Sequence, residues 1–179
     1  MTEFVAFDPR VETKGAAILA TVKGLAFDVG PILKRHGLDE NLDPDGWYPQ
    51  QAWLDVLREI SLMQGGTTLE LVGIGMKIPE TADWPPEVTT VDEALSSIDV
   101  AYHMNHRYGE IGYYHAERID ANTIRVTCEN PFPSDFDYGI IYGVTRLFHD
   151  HSREFYVERA ARPCRKNGDD QCIYDVIFE

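Results

Sequence analysis

Three cysteines are the residues of this sequence whose type and spacing most directly suggest metal or redox chemistry. Cys164 and Cys172 lie four residues on either side of Gly168, so a hairpin turning there would place them opposite each other on neighbouring strands. Such a pair could share a metal ion, with Cys128 as a third ligand, or could be redox-sensitive. No CxxC pair accompanies them. Packing of small buried side chains beside a hairpin is the alternative.

His103 and His106 form an H-x2-H pair near the end of a predicted helix. Residues three apart share a helix face, so the two imidazoles could ligate one metal ion, together with His115 on the following strand. Histidines in a last helical turn also complement the helix dipole, which explains the pair without a metal. Both interpretations stay open.

Tyrosines are concentrated in the second half of the chain. They could line a small-molecule pocket with apolar rings and polar tips, or fill an ordinary core. The candidate ligand-binding residues are Tyr102, Tyr113, Tyr138 and Tyr142. No phosphate-binding loop, nucleophile elbow or HExxH motif occurs. The sequence names no catalytic residue and favours a binding module over an enzyme.

Composition indicates an ordinary globular domain. The chain has 179 residues, 44% of them hydrophobic, and a formal net charge of −14, which suits a single domain spanning 1–179. A pI near 4.7 disfavours nucleic acid and anionic membranes as partners, since both require clustered Lys and Arg. With no signal-peptide pattern, no long apolar run and an odd number of cysteines, we expect a cytoplasmic protein without a membrane span.

The side chains above must be positioned by helices and strands, which two kinds of hydrophobic periodicity predict. Helical spacing dominates residues 1–107, the helical half. The predicted helices there cover residues 14–25, 29–36, 50–63, 67–78 and 90–102, the third ending at Gly65-Gly66 and the fourth at Pro79. A strand over 67–78 is the alternative for the fourth, and a capping-box pattern of Thr90 with Glu93 begins the fifth. Residues 108–179 instead alternate with a period of two, which predicts hairpins over 109–129 and 154–178 and a helix opened by Ser134 between them. The fold class is α+β: a helical N-terminal half packed on a four-stranded antiparallel sheet made of two hairpins with one inserted helix.

Two segments of the second half resemble a known superfamily. They are the strand, Asn-Pro break and glycine-bearing helix of residues 123–143, and the closing segment from Cys164 through Gly168 to Cys172 and Tyr174. Both are similar to the vinyl-4-reductase (hydrocarbon-binding) domain, which shares a superfamily with haem–nitric-oxide-binding domains and a Golgi-transport tethering subunit. The resemblance implies a homodimeric sensor or carrier that holds a small apolar or tetrapyrrole-like molecule. The tethering relatives imply an alternative, a non-catalytic dimerisation or docking scaffold.

The same resemblance implies a haem or zinc sensor as a further alternative. His103 lies about where the haem-binding branch has its proximal histidine, whereas Cys128, Cys164 and Cys172 would surround zinc. The haem branch binds the haem propionates with a Tyr-x-Ser-x-Arg motif. At the corresponding place, residues 126–130 of this chain are Val-Thr-Cys-Glu-Asn, which contain neither the tyrosine nor the arginine. Asp137 stands where many vinyl-4-reductase domains carry a further cysteine.

Overall fold

The structure, a computed structural model, describes residues 3–23, 25, 27–39, 41–63 and 69–179. The helices are α1 (Gly15–Val22), α2 (Gly30–Arg35), α3 (Gln50–Met63), α4 (Leu69–Thr81), α5 (Val91–Met104) and α6 (Ser134–Phe148). The strands are β1 (Glu12–Lys14), β2 (Trp47–Pro49), β3 (His106–Arg107), β4 (Tyr113–Arg118), β5 (Thr123–Glu129), β6 (Phe155–Arg159) and β7 (Cys172–Phe178). Among these helices, none has the length and apolar character that crossing a membrane requires.

The larger sheet confirms the α+β prediction. Its four antiparallel strands run in the order β4-β5-β7-β6, so the two hairpins join through β5 and β7. The alternation in β5 buries Ile124, Val126 and Cys128, because successive side chains of a strand point to opposite faces. The inserted helix α6 begins at Ser134 as predicted, although Pro133 and not Ser134 is its N-cap residue.

The predicted helices are observed with small differences at their ends. α3 has the predicted bounds, and α5 begins with the expected capping box between Thr90 and Glu93. α4 continues through Pro79 to Thr81, contrary to the prediction that Pro79 ends it. Pro79 lies in the last turn of this helix, so its missing N–H removes only one hydrogen bond near the helix end. The Pro79 carbonyl in turn accepts a hydrogen bond from the Trp84 indole N–H at 2.9 Å. The predicted start at residue 67 and the glycines at 65 and 66 lie outside the described residues.

Close packing between α4 and α6 explains several glycines. A Cβ on Gly139 would overlap the Val72 carbonyl oxygen, and a Cβ on Gly75 would overlap the Phe136 carbonyl oxygen. Only glycine permits such an approach of two helix backbones. Gly73 and Gly75 both belong to α4, and Gly75 is the one that allows α6 to approach closely.

A second, three-stranded sheet in the helical half was not predicted. Its order is β2-β1-β3, and its strands have only two or three residues each, too few to show alternation. The antiparallel pairing of β1 with β3 places Thr13 directly opposite His106. Residues far apart in the chain thereby become neighbours.

The second hairpin differs from the prediction around its turn. β6 ends at Arg159 and its ladder with β7 stops there, while a 3₁₀ turn over Arg165–Asn167 and a left-handed Gly168 complete the connection. Cys164 therefore lies outside the ladder. Cys172 is opposite Cys128 on β5, so the prediction that Cys164 and Cys172 face each other across a strand pair was wrong.

Candidate functional site

A cavity of about 450 Å³ lies among α1, α4, α5 and α6. Its volume falls within the range of small-molecule sites, roughly 300–1,000 Å³. The wall is predominantly apolar, and its aromatic side chains besides a histidine are Trp53, Trp84, Tyr102, Tyr114, Phe132 and Phe136. Such a lining favours an apolar ligand, because desolvating these rings contributes binding free energy.

Two polar side chains of the cavity wall come from the small sheet. Thr13 and His106 both line the cavity and are opposed residues of β1 and β3. The Gln50 backbone N–H donates to the Val11 carbonyl at 2.9 Å, which extends the β1–β2 ladder by one residue. Directly opposed residues share a sheet face, as do residues two apart on a strand. Thr13, Gln50 and His106 therefore lie on one face, and we call these three residues the polar cradle.

The protonation state of His106 follows from its contacts. Its Nδ1 lies 2.8 Å from the Tyr102 carbonyl oxygen, which can only accept, so Nδ1 carries the proton and Nε2 presents a lone pair. Burial, with the nearby His103 adding to the effect, lowers the pKa of His106 to about 4 against the opposing hydrogen bond to Tyr102. At neutral pH, Nε2 is an uncharged acceptor.

The polar cradle is buried, and most of its side-chain polar atoms have no hydrogen bond of normal geometry. Thr13, Gln50 and His106 are 2%, 0% and 9% exposed. Within the described residues, six buried side-chain N or O atoms have no hydrogen-bond partner, and four of them are Thr13 Oγ1, Gln50 Oε1, Gln50 Nε2 and His106 Nε2. Each buried unpaired polar group costs about 1–3 kcal/mol. Their concentration at one place beside a cavity points to a function other than stability.

Of the four tyrosines selected from the sequence, the structure brings only Tyr102 to the cavity. Tyr113 is on β4 and is 38% exposed. Tyr138 and Tyr142 stack on each other on α6, with ring centroids 6.5 Å apart, and the Tyr138 hydroxyl donates to the Val157 carbonyl on β6. These last two rings pack between the helix and the large sheet, away from the cavity.

His103 is a neighbour of the site and does not belong to its wall. Its side chain is about half exposed, and its Nδ1 lies 2.9 Å from the Asp99 carbonyl oxygen. His106, the other member of the pair, lines the cavity instead. A signal for this existed in the sequence: Ile98, Tyr102 and His106 follow each other at intervals of four on the buried face.

The three cysteines lie close to Arg165. All are buried, and the sulfurs of Cys164 and Cys172 are 3.6 Å apart. The backbone N–H of Arg165 donates to the Cys172 sulfur at 3.2 Å. Burial raises the pKa of Cys172 to about 11 and that of Cys128 well above its ordinary value, which disfavours the thiolates that bind metals. Across the described part of the chain, no three His, Cys, Asp or Glu side chains are grouped to hold a metal ion.

Arg165 and Asp137 form the centre of a second buried polar group, here called the Arg165 cluster. The side chains of both residues are fully buried and form an ion pair. The Arg165 guanidinium also donates to the carbonyl oxygens of Cys128 at 2.6 Å and Phe132 at 3.0 Å. The Tyr114 hydroxyl donates to Asp137 at 2.6 Å. Burial raises the pKa of Asp137, and Arg165 and Tyr114 oppose that rise.

Solved structures share this fold. A mutant of the T. tengcongensis H-NOX superposes with a TM-score of 0.69 at 17% sequence identity, covering 93% of this chain and 97% of that one. An oxygen-binding H-NOX domain related to soluble guanylate cyclases gives 0.68 at 18% identity, with 92% of each chain covered. A mutant H-NOX protein from S. oneidensis gives 0.66 at 11% identity, covering 93% and 96%.

Sequence comparison is less informative than structure. No family model matches the chain, and none of the curated proteins matches it. The structural neighbours confirm the predicted fold, which this chain shares with the H-NOX domains. The more specific vinyl-4-reductase assignment stays a prediction.

Proposed function

We propose that this chain is a small-molecule-binding module, acting as a sensor or carrier, that holds an uncharged apolar ligand in the cavity among α1, α4, α5 and α6. The observation that carries this proposal is the cavity itself, about 450 Å³ with a mainly apolar wall. Its fold is shared with H-NOX domains, one of them an oxygen-binding domain. We further propose a homodimer, from the sequence resemblance, and a cytoplasmic location, from the small and odd number of cysteines.

The charges of the wall favour an uncharged ligand. Among the described residues that line the cavity, Lys14 and Asp83 are the ionised ones, and their charges cancel. A buried carboxylate on a ligand would need its own cationic partners, because an unpaired buried charge costs several kcal/mol.

Haem fits this wall in one respect and fails in another. The Nε2 lone pair of His106 would suit iron, and His106, unlike His103, lines the cavity. The two propionates, however, would find a single lysine, and residues 126–130 of the large sheet are not among those lining the cavity. The residues present therefore do not fit haem as a whole.

A ligand screen tests the proposal. We expect uncharged apolar compounds to raise the melting temperature, by an amount equivalent to about 2.7 kcal/mol when the ligand is at 100 times its Kd. Native mass spectrometry of the freshly purified protein would reveal a retained ligand and the oligomeric state. A broad apolar library in which no compound shifts the melting temperature would contradict the proposal.

A matched pair of variants localises the binding. Val144 is buried and lines the cavity, so Val144→Phe should fill the space and abolish the shift caused by the compounds found in the screen. Leu147, on the same helix, is 47% exposed and outside the wall. Leu147→Phe adds the same ring and should leave the shift unchanged.

Hemin titration separates the haem interpretation from this one. We expect no stoichiometric Soret band with the wild-type protein. A saturating band that is lost in His106→Phe and kept in His103→Phe would replace the proposed ligand class with haem.

A further inference from the structure

We propose that the polar cradle of Thr13, Gln50 and His106 is a recognition site for a single hydroxyl group on an otherwise apolar ligand. This inference rests on the proposed function and adds the polar group that the ligand must carry. It also assigns the orientation of that ligand, with its hydroxyl towards the small sheet and its apolar part towards the aromatic wall.

The donors and acceptors of the cradle determine the chemistry of the group. His106 Nε2 is an acceptor because Nδ1 is already bonded to the Tyr102 carbonyl. Gln50 contributes a carbonyl acceptor and an amide donor, and Thr13 can do either. A partner for all three must both donate and accept. A carboxylate or a ketone cannot donate to Nε2, and an ammonium cannot accept from Gln50, whereas a hydroxyl does both.

The position of the cradle supports the same conclusion. Thr13 and His106 belong to the cavity wall, and the His106 ring packs against Tyr102 and Phe132 at centroid distances of 4.4 and 5.8 Å. Thr13 Oγ1 and His106 Nε2 therefore border the apolar space that a ligand would occupy, and Gln50 lies on the same sheet face as these two residues. A hydroxyl bonded there would relieve their unpaired state, while the wall would bury the remaining ligand surface.

Two naphthalene probes of nearly equal size test this inference by isothermal titration calorimetry. 2-Naphthalenemethanol carries one hydroxyl, and 2-methylnaphthalene carries none. We expect the alcohol to bind the wild-type protein at least about tenfold more tightly, the equivalent of one hydrogen bond. Thr13→Val, Gln50→Met and His106→Phe should each reduce this preference towards one.

Affinity for the hydrocarbon is the internal control for folding. A variant that retains wild-type affinity for 2-methylnaphthalene retains the cavity, so its loss of preference reports the cradle alone. Thr145→Val provides the matched control, since Thr145 is buried outside the wall and its hydroxyl donates to the Ile141 carbonyl at 2.8 Å. That variant should keep the tenfold preference.

Three results would overturn the inference. Equal affinities of the two probes for the wild-type protein would mean that bound water satisfies the cradle. A preference that persists in all three cradle variants would place the hydroxyl elsewhere. Failure of both probes to bind would also overturn it, and the melting-temperature screen would then decide separately whether the proposed function stands.

Discussion

The Arg165 cluster and the polar cradle are both buried polar groups, but they differ in how fully their hydrogen bonds are satisfied. In the cluster, Asp137 accepts from Arg165 and Tyr114, and the Arg165 guanidinium leaves only Nε without a partner. In the cradle, the side-chain N and O atoms of Thr13 and Gln50 have no hydrogen bond of normal geometry within the described residues, although Gln50 interacts with Tyr102. A closed network stabilises one arrangement of the core, whereas an open one retains the capacity to bind something else.

Tyr114 connects the two regions. Its ring belongs to the cavity wall, and its hydroxyl bonds Asp137 of the cluster. The cluster thus holds one wall of the cavity in place without contributing its charges to the ligand. Substitutions in the cluster should act on stability, and substitutions in the cradle should act mainly on binding.

The largest expected effect on the free energy of unfolding is that of removing the Asp137 carboxylate from the Arg165 cluster. Asp137→Ala leaves the Arg165 guanidinium buried without its counterion and should lower the free energy of unfolding by about 3–5 kcal/mol, measured by urea denaturation. Asp175→Ala is the control, because its pair with Arg125 is partly exposed and is worth about 0.2–1 kcal/mol. Equal losses in the two variants would contradict the assignment of the cluster as structural.

Removal of one hydrogen bond from the cluster should have a smaller effect. Tyr114→Phe deletes the hydroxyl that donates to Asp137 and should cost about 1.5–3 kcal/mol in the same assay. Its neighbour Tyr113 is 38% exposed, so Tyr113→Phe should change the free energy of unfolding by no more than about 0.5 kcal/mol.

The free energy of unfolding should depend on pH through His106 of the cradle. The pKa of His106 is about 4 in the folded protein and about 6.5 when unfolded. Its contribution to stability is therefore complete above about pH 6.5 and is lost as the pH falls towards 4. Between pH 7.5 and 5 the wild-type protein should lose about 2 kcal/mol more than His106→Phe. His115→Gln, at an exposed position, should retain the wild-type loss.

The smallest effect has the opposite sign. Thr13→Val removes an unpaired buried hydroxyl and should raise the free energy of unfolding of the ligand-free protein by about 1 kcal/mol. Thr145→Val removes a satisfied hydroxyl and should lower it by about 0.5–1 kcal/mol. A destabilised Thr13→Val would show that the hydroxyl has a partner, such as bound water, and would weaken the distinction between the two regions.

The predicted elements depended on local sequence signals, and most of them are observed. The capping box at Thr90 and Glu93 placed the start of α5, and the alternation of Ile124, Val126 and Cys128 placed the inward face of β5. Short-range patterns of this kind reflect which side chains face the core, a property that the sequence encodes within a few residues.

The site was predicted only in part, because its residues meet through long-range contacts. Tyr102, a candidate ligand-binding residue from the sequence, lines the cavity, and His106 entered the sequence analysis only as the partner of His103. Thr13 and Gln50 carried no signal, since their significance comes from a three-stranded sheet whose strands are too short to show periodicity.

Local sequence patterns are sufficient to predict the α+β class, the two hairpins and the helix between them, because hydrophobic periodicity and turn residues act over a few residues. Which polar groups have hydrogen-bond partners depends instead on long-range contacts. The pairing of β1 with β3 brings Thr13 to His106, and the fold of the closing segment brings Arg165 to Asp137. Burial then gives these two groups opposite roles, because an unpaired polar atom is costly only where water cannot reach it.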